Sequence, residues 1–176
     1  MECSVIKAVV SEKEAARAAY RSAQMKTDGA PAQCRLVYTP FWYATFRCEL
    51  KRFLLPTRTG LVGAGADAFT GFVSLATGLP QTELCDIPSE AILPRRFDWT
   101  AVSEGTHRQV LEYFVHEFRR VPESRLEQFC LIHRPIWVCR LGGEAAGIVR
   151  CVDAHSGDPL YYLDQMAEEI AALAGM

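Results

Sequence analysis

The sequence predicts an α+β fold made of two tandem β-α-β-β-β units, each with one helix packed on an antiparallel sheet, related by a pseudo-twofold axis. Three observations predict it. Short motifs recur in the same order in both halves, two segments have helical periodicity, and long apolar strands lead into glycine-containing turns. A chain of 176 residues is long enough for one domain or two very small ones.

Three motif pairs indicate an internal duplication. They are AVVSE at 8–12 with TAVSE at 100–104, LVYTPFW at 36–42 with LIHRPIW at 131–137, and DAFTG at 67–71 with DAHSG at 153–157. Their shared order and similar separations define a first repeat unit over residues 1–88 and a second over 89–176. We expect the two to pack into one compact pseudo-symmetric domain.

Each repeat is expected to begin with a short strand that runs into a helix. Ser11 followed by Glu14 is a capping box, in which the hydroxyl and the carboxylate satisfy backbone amides at the start of the first helix. The second helix has apolar residues at a period of 3.6. The predicted ranges are 4–10 and 97–102 for the strands, 12–24 and 106–120 for the helices, and 164–174 for a short closing helix.

A long apolar strand is predicted after the helix of each repeat, followed by a hairpin and a tight turn. Gly142-Gly143 favours a two-residue hairpin, which a longer loop replaces in the first repeat. Gly71 and Gly157 end the two Asp-Ala-x-Thr/Ser-Gly turns, where positive φ is needed. The predicted ranges are 35–50 and 128–141 for the long strands, 144–153 for the hairpin's return strand, 56–60 for the loop, 72–76 and 159–162 for the third strands, and 78–94 for the linker between repeats.

The long strands carry apolar residues on both faces, which a sheet with one solvated face does not. We therefore expect the second face to be covered by the other repeat. A homodimer partner or a bound ligand is the alternative cover.

Composition and charge exclude several classes of protein. Hydrophobic residues make up 49% of the chain and charged residues 23%, as in globular proteins, and a net charge of −2 gives no reason to expect nucleic acid or membrane as a partner. No signal peptide is apparent. The seven cysteines include no CxxC pair and lie mostly in apolar runs, so we expect reduced, inert thiols, a cytoplasmic location, and neither cofactor nor metal.

Four residues are candidate binding residues, because both repeats place a tryptophan two residues after a proline in the long strand. The tryptophans are expected either as core anchors with a bonded indole N–H or as twin walls of a binding groove. In the second case two further residues would lie at the mouth of the groove. The four candidates are Tyr38, Trp42, His133 and Trp137.

Two other patterns have a chemical interpretation. Gly63-x-Gly65-x-x-Ala68 matches a dinucleotide-binding fingerprint, but Thr70-Gly71 leaves no room for the required helix, so a glycine-rich strand or loop is predicted. Cys151 with His133 or His155 could form an activated thiolate, and Cys151, Asp153 and His155 could bind zinc. Against both, an Asp at that place caps its own turn.

The P-x-W strand and the Asp-Ala-x-Thr/Ser-Gly turn of each half resemble PepSY-type modules. The resemblance implies a cystatin-like helix-on-sheet fold and a regulatory or peptide-associated role, often extracytoplasmic. The first hairpin here is larger than in that family, and no signal sequence or membrane anchor is apparent. No functional residue is therefore transferred.

We accordingly expect a non-enzymatic binding or protein-interaction module whose partner is a protein or a small apolar ligand, and which can homodimerise through apolar sheet surface. Two alternatives stay open. One is a small thiol-dependent enzyme that uses Cys151 with His133 or His155, and the other is a small-molecule-binding protein with a tryptophan-lined groove.

Overall fold

The computed structural model describes residues 2–25, 32–52, 55–76 and 80–176, and it confirms the α+β class. The elements of these ranges are β1 (Glu2–Ile6), α1 (Glu12–Ser22), β2 (Gln33–Arg52), β3 (Leu55–Asp67), β4 (Val73–Ala76), β5 (Thr82–Asp86), α2 (Trp99–Phe118), β6 (Glu123–Arg140), β7 (Val149–Asp153) and α3 (Ala167–Leu173). Short 3-10 helices cover Ser89–Ala91, Gly143–Ala145 and Tyr161–Met166.

The strands form one large, mostly antiparallel sheet. Its order is β4-β3-β2-β6-β1-β5, and β7 pairs with the C-terminal part of β6. The exception in direction is β1, which meets β6 in parallel at Val5 and His133. In the described ranges, β4 and β5 are the two ends of this order.

The second helix begins earlier than the sequence predicts, since the segment 97–102 is not a strand. Asp98 is the N-cap of α2, and Val102 and Thr106 already lie on its buried side. Ser103 and Gly105 are poor helix formers, which conceals this part of the periodicity. The predicted strand at 97–102 and the predicted helix start at 106 are therefore wrong, and the N-cap of α2 is Asp98, as Ser11 is that of α1.

Other differences concern connections. The predicted loop at 56–60 is part of β3, because it pairs in register with β2. The predicted linker contains β5 and a 3-10 helix, and its residues 78 and 79 lie outside the described ranges. The 3-10 helix Gly143–Ala145 replaces the predicted two-residue hairpin, and the predicted third strand at 159–162 is reduced to one bridge between Val152 and Pro159.

The chain forms two compact units. Unit 1 consists of Met1–Pro40, Gln81–Pro94 and His133–Met176, and unit 2 consists of Phe41–Pro80 and Arg95–Ile132. Strands β2 and β6 contribute residues to both. Each unit thus combines chain from both predicted ranges, 1–88 and 89–176.

In unit 1, α1 packs on the C-terminal strands rather than on strands of its own repeat. Its buried face, Ala15, Ala18, Ala19 and Tyr20, contacts a cluster formed by Cys139, Leu141, Ala145 and Val152. The capping box is confirmed, since Glu14 N donates to Ser11 Oγ and Ser11 N donates to the Glu14 carboxylate. Periodicity identifies the apolar face of a helix but not the strand that it meets.

The second face of the unit 1 strands is also covered. Ile136, Val138 and Cys151 alternate with the residues beneath α1, and all three are buried. The segment Tyr161–Leu173 packs against β7 and buries Leu163 and Ile170. In this unit the cover is therefore provided by the C-terminal helices.

In unit 2, α2 packs on β2 and β3, which precede it in the chain. Val110 and Phe114 contact a cluster formed by Ala44, Phe46, Cys48, Leu50 and Ala64. Strand β3 alternates alanine with glycine. Ala64 and Ala66 belong to the clusters at α2, whereas the rings of Tyr43 and Phe41 occupy the space that a Cβ would take at Gly63 and Gly65. The fingerprint-like glycines are thus part of a strand, as predicted.

The alternation predicts different responses to two substitutions in the same strand. A Cβ at Gly65 would lie 2.1 Å from Phe41 Cε1, whereas a Cβ at Gly60 has nothing within 4 Å. We expect Gly65→Ala to lower the free energy of unfolding by about 1–3 kcal/mol through overpacking. The control Gly60→Ala should change it by less than about 1 kcal/mol. Urea unfolding of both variants measures this, and equal stability would contradict the assigned close packing.

Candidate functional site

The two tryptophans predicted as candidates make the same bond in their respective units. In unit 2, Trp42 Nε1 donates to the carbonyl of Phe97 at 2.9 Å. In unit 1, Trp137 Nε1 donates to the carbonyl of Val10 at 2.8 Å. Phe97 and Val10 each precede the N-cap of a helix. Each indole therefore anchors the start of a helix, which is the structural alternative in the sequence analysis.

The two Asp-Ala-x-Thr/Ser-Gly turns, one in each unit, also make the same hydrogen bonds. The Oδ1 of Asp67 accepts bonds from the amides of Phe69 and Thr70, and the Oδ1 of Asp153 accepts bonds from those of His155 and Ser156, all at 2.7–2.9 Å. Gly71 and Gly157 have φ of 78° and 82°. The aspartates cap their turns as the sequence predicts, and Asp153 additionally pairs with Arg134.

The alanine that follows each aspartate connects its turn to the same helix start. The Ala68 carbonyl accepts bonds from the amides of Arg96 and Phe97, at 2.8 and 2.9 Å. The Ala154 carbonyl accepts bonds from the amides of Val9 and Val10, both at 2.9 Å. In each unit, strand, turn and helix start are therefore joined through one residue.

Tyr38 and His133 occupy matched bridge positions in unit 1. His133 bridges Val5 and Tyr38 bridges Ile92, both in parallel. Tyr38 is partly buried, and this burial raises the pKa of its phenol. His133 is only 7% exposed, and its Nδ1 has no hydrogen-bond partner within the described ranges. Tyr38 and His133 thus belong to unit 1 and Trp42 to unit 2, and the tryptophan-lined groove stays a prediction.

His133 gives the stability of the protein a pH dependence. Burial lowers the pKa of its imidazole, against a smaller opposing effect of a bond to the Ser4 backbone. Because the unfolded chain takes up a proton that the folded state resists, stability should fall as pH decreases below the ordinary histidine pKa of about 6.5.

We therefore expect His133→Gln to flatten the decline of the unfolding free energy between about pH 7.5 and 5.5. Urea titrations at several pH values measure the slope. The control His116→Gln removes a histidine whose side chain is 82% exposed, and it should leave the slope as in the parent protein. An unchanged slope in His133→Gln would contradict this role.

Unit 2 contains an aromatic cluster that the sequence analysis missed, formed by Trp42, Trp99 and Phe129. Trp99 and Phe129 stack at 4.7 Å with an interplanar angle of 8°, and Trp42 lies 6.2 and 6.1 Å from their centroids. Trp42 is buried, whereas Phe129 is 47% exposed. The guanidinium of Arg95 lies 5.9 Å from the centre of the Trp42 ring.

Phe129 lies in a part of β6 with an open edge. Glu127 pairs with Arg47 and Glu123 with Lys51, so β2 lines one side of this segment. The strands on the other side, β1 and β7, pair with β6 only from His133 and Ile136 onward within the described residues. Residues 125–130 are all exposed. Their outward backbone groups can accept another strand.

A cavity of about 320 Å³ in unit 2 has a polar lining, not a tryptophan lining. Its residues are Arg47, Glu49, Glu123, Ser124 and Arg125. Ser124 Oγ lies 2.5 Å from His107 Nε2, and the His107 ring stacks on Phe46. A serine nucleophile needs a base that a third polar group orients. In the described contacts of His107, Ser124 is the polar partner and Phe46 stacks on the face of the ring.

The other chemical candidates are placed as follows. Cys151 is 1% exposed, and His155 Nδ1 lies 2.9 Å from the backbone oxygen of Lys7. Among the residues with described positions, no group of three or more His, Cys, Asp or Glu could hold a metal ion. No helix of the same residues is long and apolar enough to cross a membrane. The thiol-enzyme alternative stays a prediction, although burial closes Cys151 to a substrate.

Comparisons of the chain with protein-family models, curated proteins and solved structures found no match. The resemblance to PepSY-type modules therefore stays a prediction. What the fold and the site define is a class: an α+β protein with capped, tryptophan-anchored helices and one partly exposed aromatic cluster beside an open strand edge.

A signal for the missed residues is present in the sequence. Trp99 is the first residue of α2, where α1 has Glu12. Extending the match of 36–42 with 131–137 by two residues on the N-terminal side aligns Phe129 with Cys34. Trp99 and Phe129 could thus have been found as positions where the two halves differ. A search for residues shared by both halves finds the tryptophans that anchor the helices.

Proposed function

We propose that the protein is a non-enzymatic interaction module that binds an extended peptide segment of a partner protein along the open edge of β6. The carrying observation is the half-exposed ring of Phe129 in that edge, stacked on Trp99 and adjacent to Trp42. The backbone of residues 125–130 would pair with the peptide, and the aromatic cluster would contact one of its apolar side chains.

The dimensions of the edge favour a peptide over a second copy of the chain. The exposed segment 125–130 is about 20 Å long at roughly 3.3 Å per residue. Pairing two such segments would bury much less than the roughly 1,200–2,000 Å² of a stable protein interface. Arg125 and Glu127 place charges on the segment, and charges on edge strands discourage pairing between identical edges.

We infer further that the two halves of the chain descend from one ancestral unit. The matched indole bonds, turn caps and strand bridges support this inference. The tryptophans and turn aspartates that stabilise the fold occur at matched positions in both halves of the chain. Trp99 and Phe129 have no aromatic residue at the matched position in the other half. This difference supports a binding role for the cluster, because folding alone does not require it. The seven free cysteines support a reducing, cytoplasmic location.

Peptide binding can be tested with two matched edge variants. Peptides selected from a random display library on the parent protein would be measured against Phe129→Glu and Leu84→Glu by fluorescence anisotropy. We expect at least tenfold weaker binding to Phe129→Glu, about 1.4 kcal/mol, because the apolar contact is lost. Leu84 lies on the edge strand β5 of unit 1 and is 72% exposed, so its substitution should leave binding unchanged.

Amide hydrogen exchange locates the bound peptide. Protection should appear at alternate residues of 125–130, whose amides point away from β2. The proposal would be contradicted if Phe129→Glu and Leu84→Glu weakened peptide binding equally. It would also be contradicted if the peptide protected amides from exchange only in other strands. A stable dimer of the parent protein that Phe129→Glu dissociates would contradict it as well, because the edge would then be occupied by a second copy.

A further inference from the structure

Two thiols of unit 1 belong to one hydrophobic cluster, whereas the proposed peptide site belongs to unit 2. Cys34 belongs to β2 and is partly exposed, and Cys139 belongs to β6 and is 0% exposed. Both thiols pack in the hydrophobic cluster beneath α1, and each of them affects the pKa of the other. Cys34 is thus the partly exposed residue of the pair, and Cys139 is the enclosed one.

Cys34 differs from the other thiols that have solvent exposure. The neighbouring Cys139 thiol lowers the pKa of Cys34, because a hydrogen bond from its S–H stabilises the Cys34 thiolate. Burial raises the pKa of Cys85 and Cys130, the other partly or fully exposed cysteines. The same hydrogen bond and burial raise the pKa of Cys139. The thiolate is the reactive form, so Cys34 is the accessible thiol favoured for reaction.

We propose that Cys34 and Cys139 form a thiol–disulfide exchange site for small disulfides, with Cys34 as the attacking thiol and Cys139 as the resolving thiol. The Cys34 thiolate, after losing its proton to solvent, attacks one sulfur of a disulfide RSSR and expels RS⁻. Cys139 then attacks the Cys34 sulfur of the mixed disulfide and expels the second RS⁻, which takes up the Cys139 proton as it leaves. The protein loses two electrons and two protons, and RSSR becomes two RSH.

The position of the pair sets the order of these steps. Because Cys139 is fully enclosed, a reagent from solution meets Cys34 first. The positions matched to Cys34 and Cys139 in unit 2 are Phe129 and Ala44, so the repeat pattern itself does not demand a thiol at either place. Cys139→Ala, which introduces the residue found at the matched position, is consequently a suitable variant for the test.

The test treats the native protein with oxidised glutathione, quenches with acid, alkylates the remaining thiols and maps the cysteines by mass spectrometry. We expect a Cys34–Cys139 linkage in the parent protein and in the control Cys130→Ser. Cys139→Ala should instead accumulate glutathione on Cys34, and Cys34→Ser should yield no linkage. Circular dichroism establishes that each variant is folded.

Two results would overturn the proposal. One is a glutathione adduct that forms faster on Cys130 or Cys85 than on Cys34. The other is a stable adduct on Cys34 of the parent protein with Cys139 still reduced, which would mean that the two sulfurs are packed together but cannot exchange. Since the peptide site lies in unit 2, failure of this test leaves the peptide-binding experiment unaffected, and the reverse also holds.

Discussion

The indole–carbonyl hydrogen bond organises both units, because it fixes the place where each helix begins. Trp42 and Trp137 project from long strands and bond the carbonyl that precedes an N-cap, while the turn alanine bonds the two amides beside it. All these bonded groups lie just before the N-cap, so the strand and the turn fix the backbone that leads into each helix. This attachment places each helix start beside the strand that bears the tryptophan, whereas the apolar pattern of the helix selects the face that it buries.

Local chemistry made much of this predictable. The capping box at Ser11, the aspartate-capped turns and the glycine-rich strand each depend on neighbours within a few residues, which a sequence displays directly. The packing of α1 on the C-terminal strands and of α2 on β2 and β3 was not predictable. Apolar periodicity shows which face of a helix is buried, but it does not show which strands cover that face. The early start of α2 was concealed by Ser103 and Gly105, whose low helix propensity is outweighed by the burial of Val102 and Thr106.

The candidate sites were harder to predict for a different reason. A search for similarity between the halves selects residues that the fold requires twice, and the tryptophans are of that kind. The aromatic cluster and the Cys34–Cys139 pair arise where the halves diverge, and their members are distant in sequence. Nothing local distinguishes Phe129 from a core residue. Its exposure becomes clear only where β6, among the described residues, pairs with β1 and β7 from His133 and Ile136 onward.

The interleaving of chain segments bears on how the polypeptide acquires its structure during synthesis. Every part of unit 2 has been translated once Ile132 is added, whereas unit 1 waits for the strands and the C-terminal helices that follow His133. Until then the alanine-rich face of α1 lacks the cluster that buries it. The N-terminal helix is thus translated first, and the residues that bury its face are translated among the last. An apolar surface that is exposed during that interval favours wrong contacts.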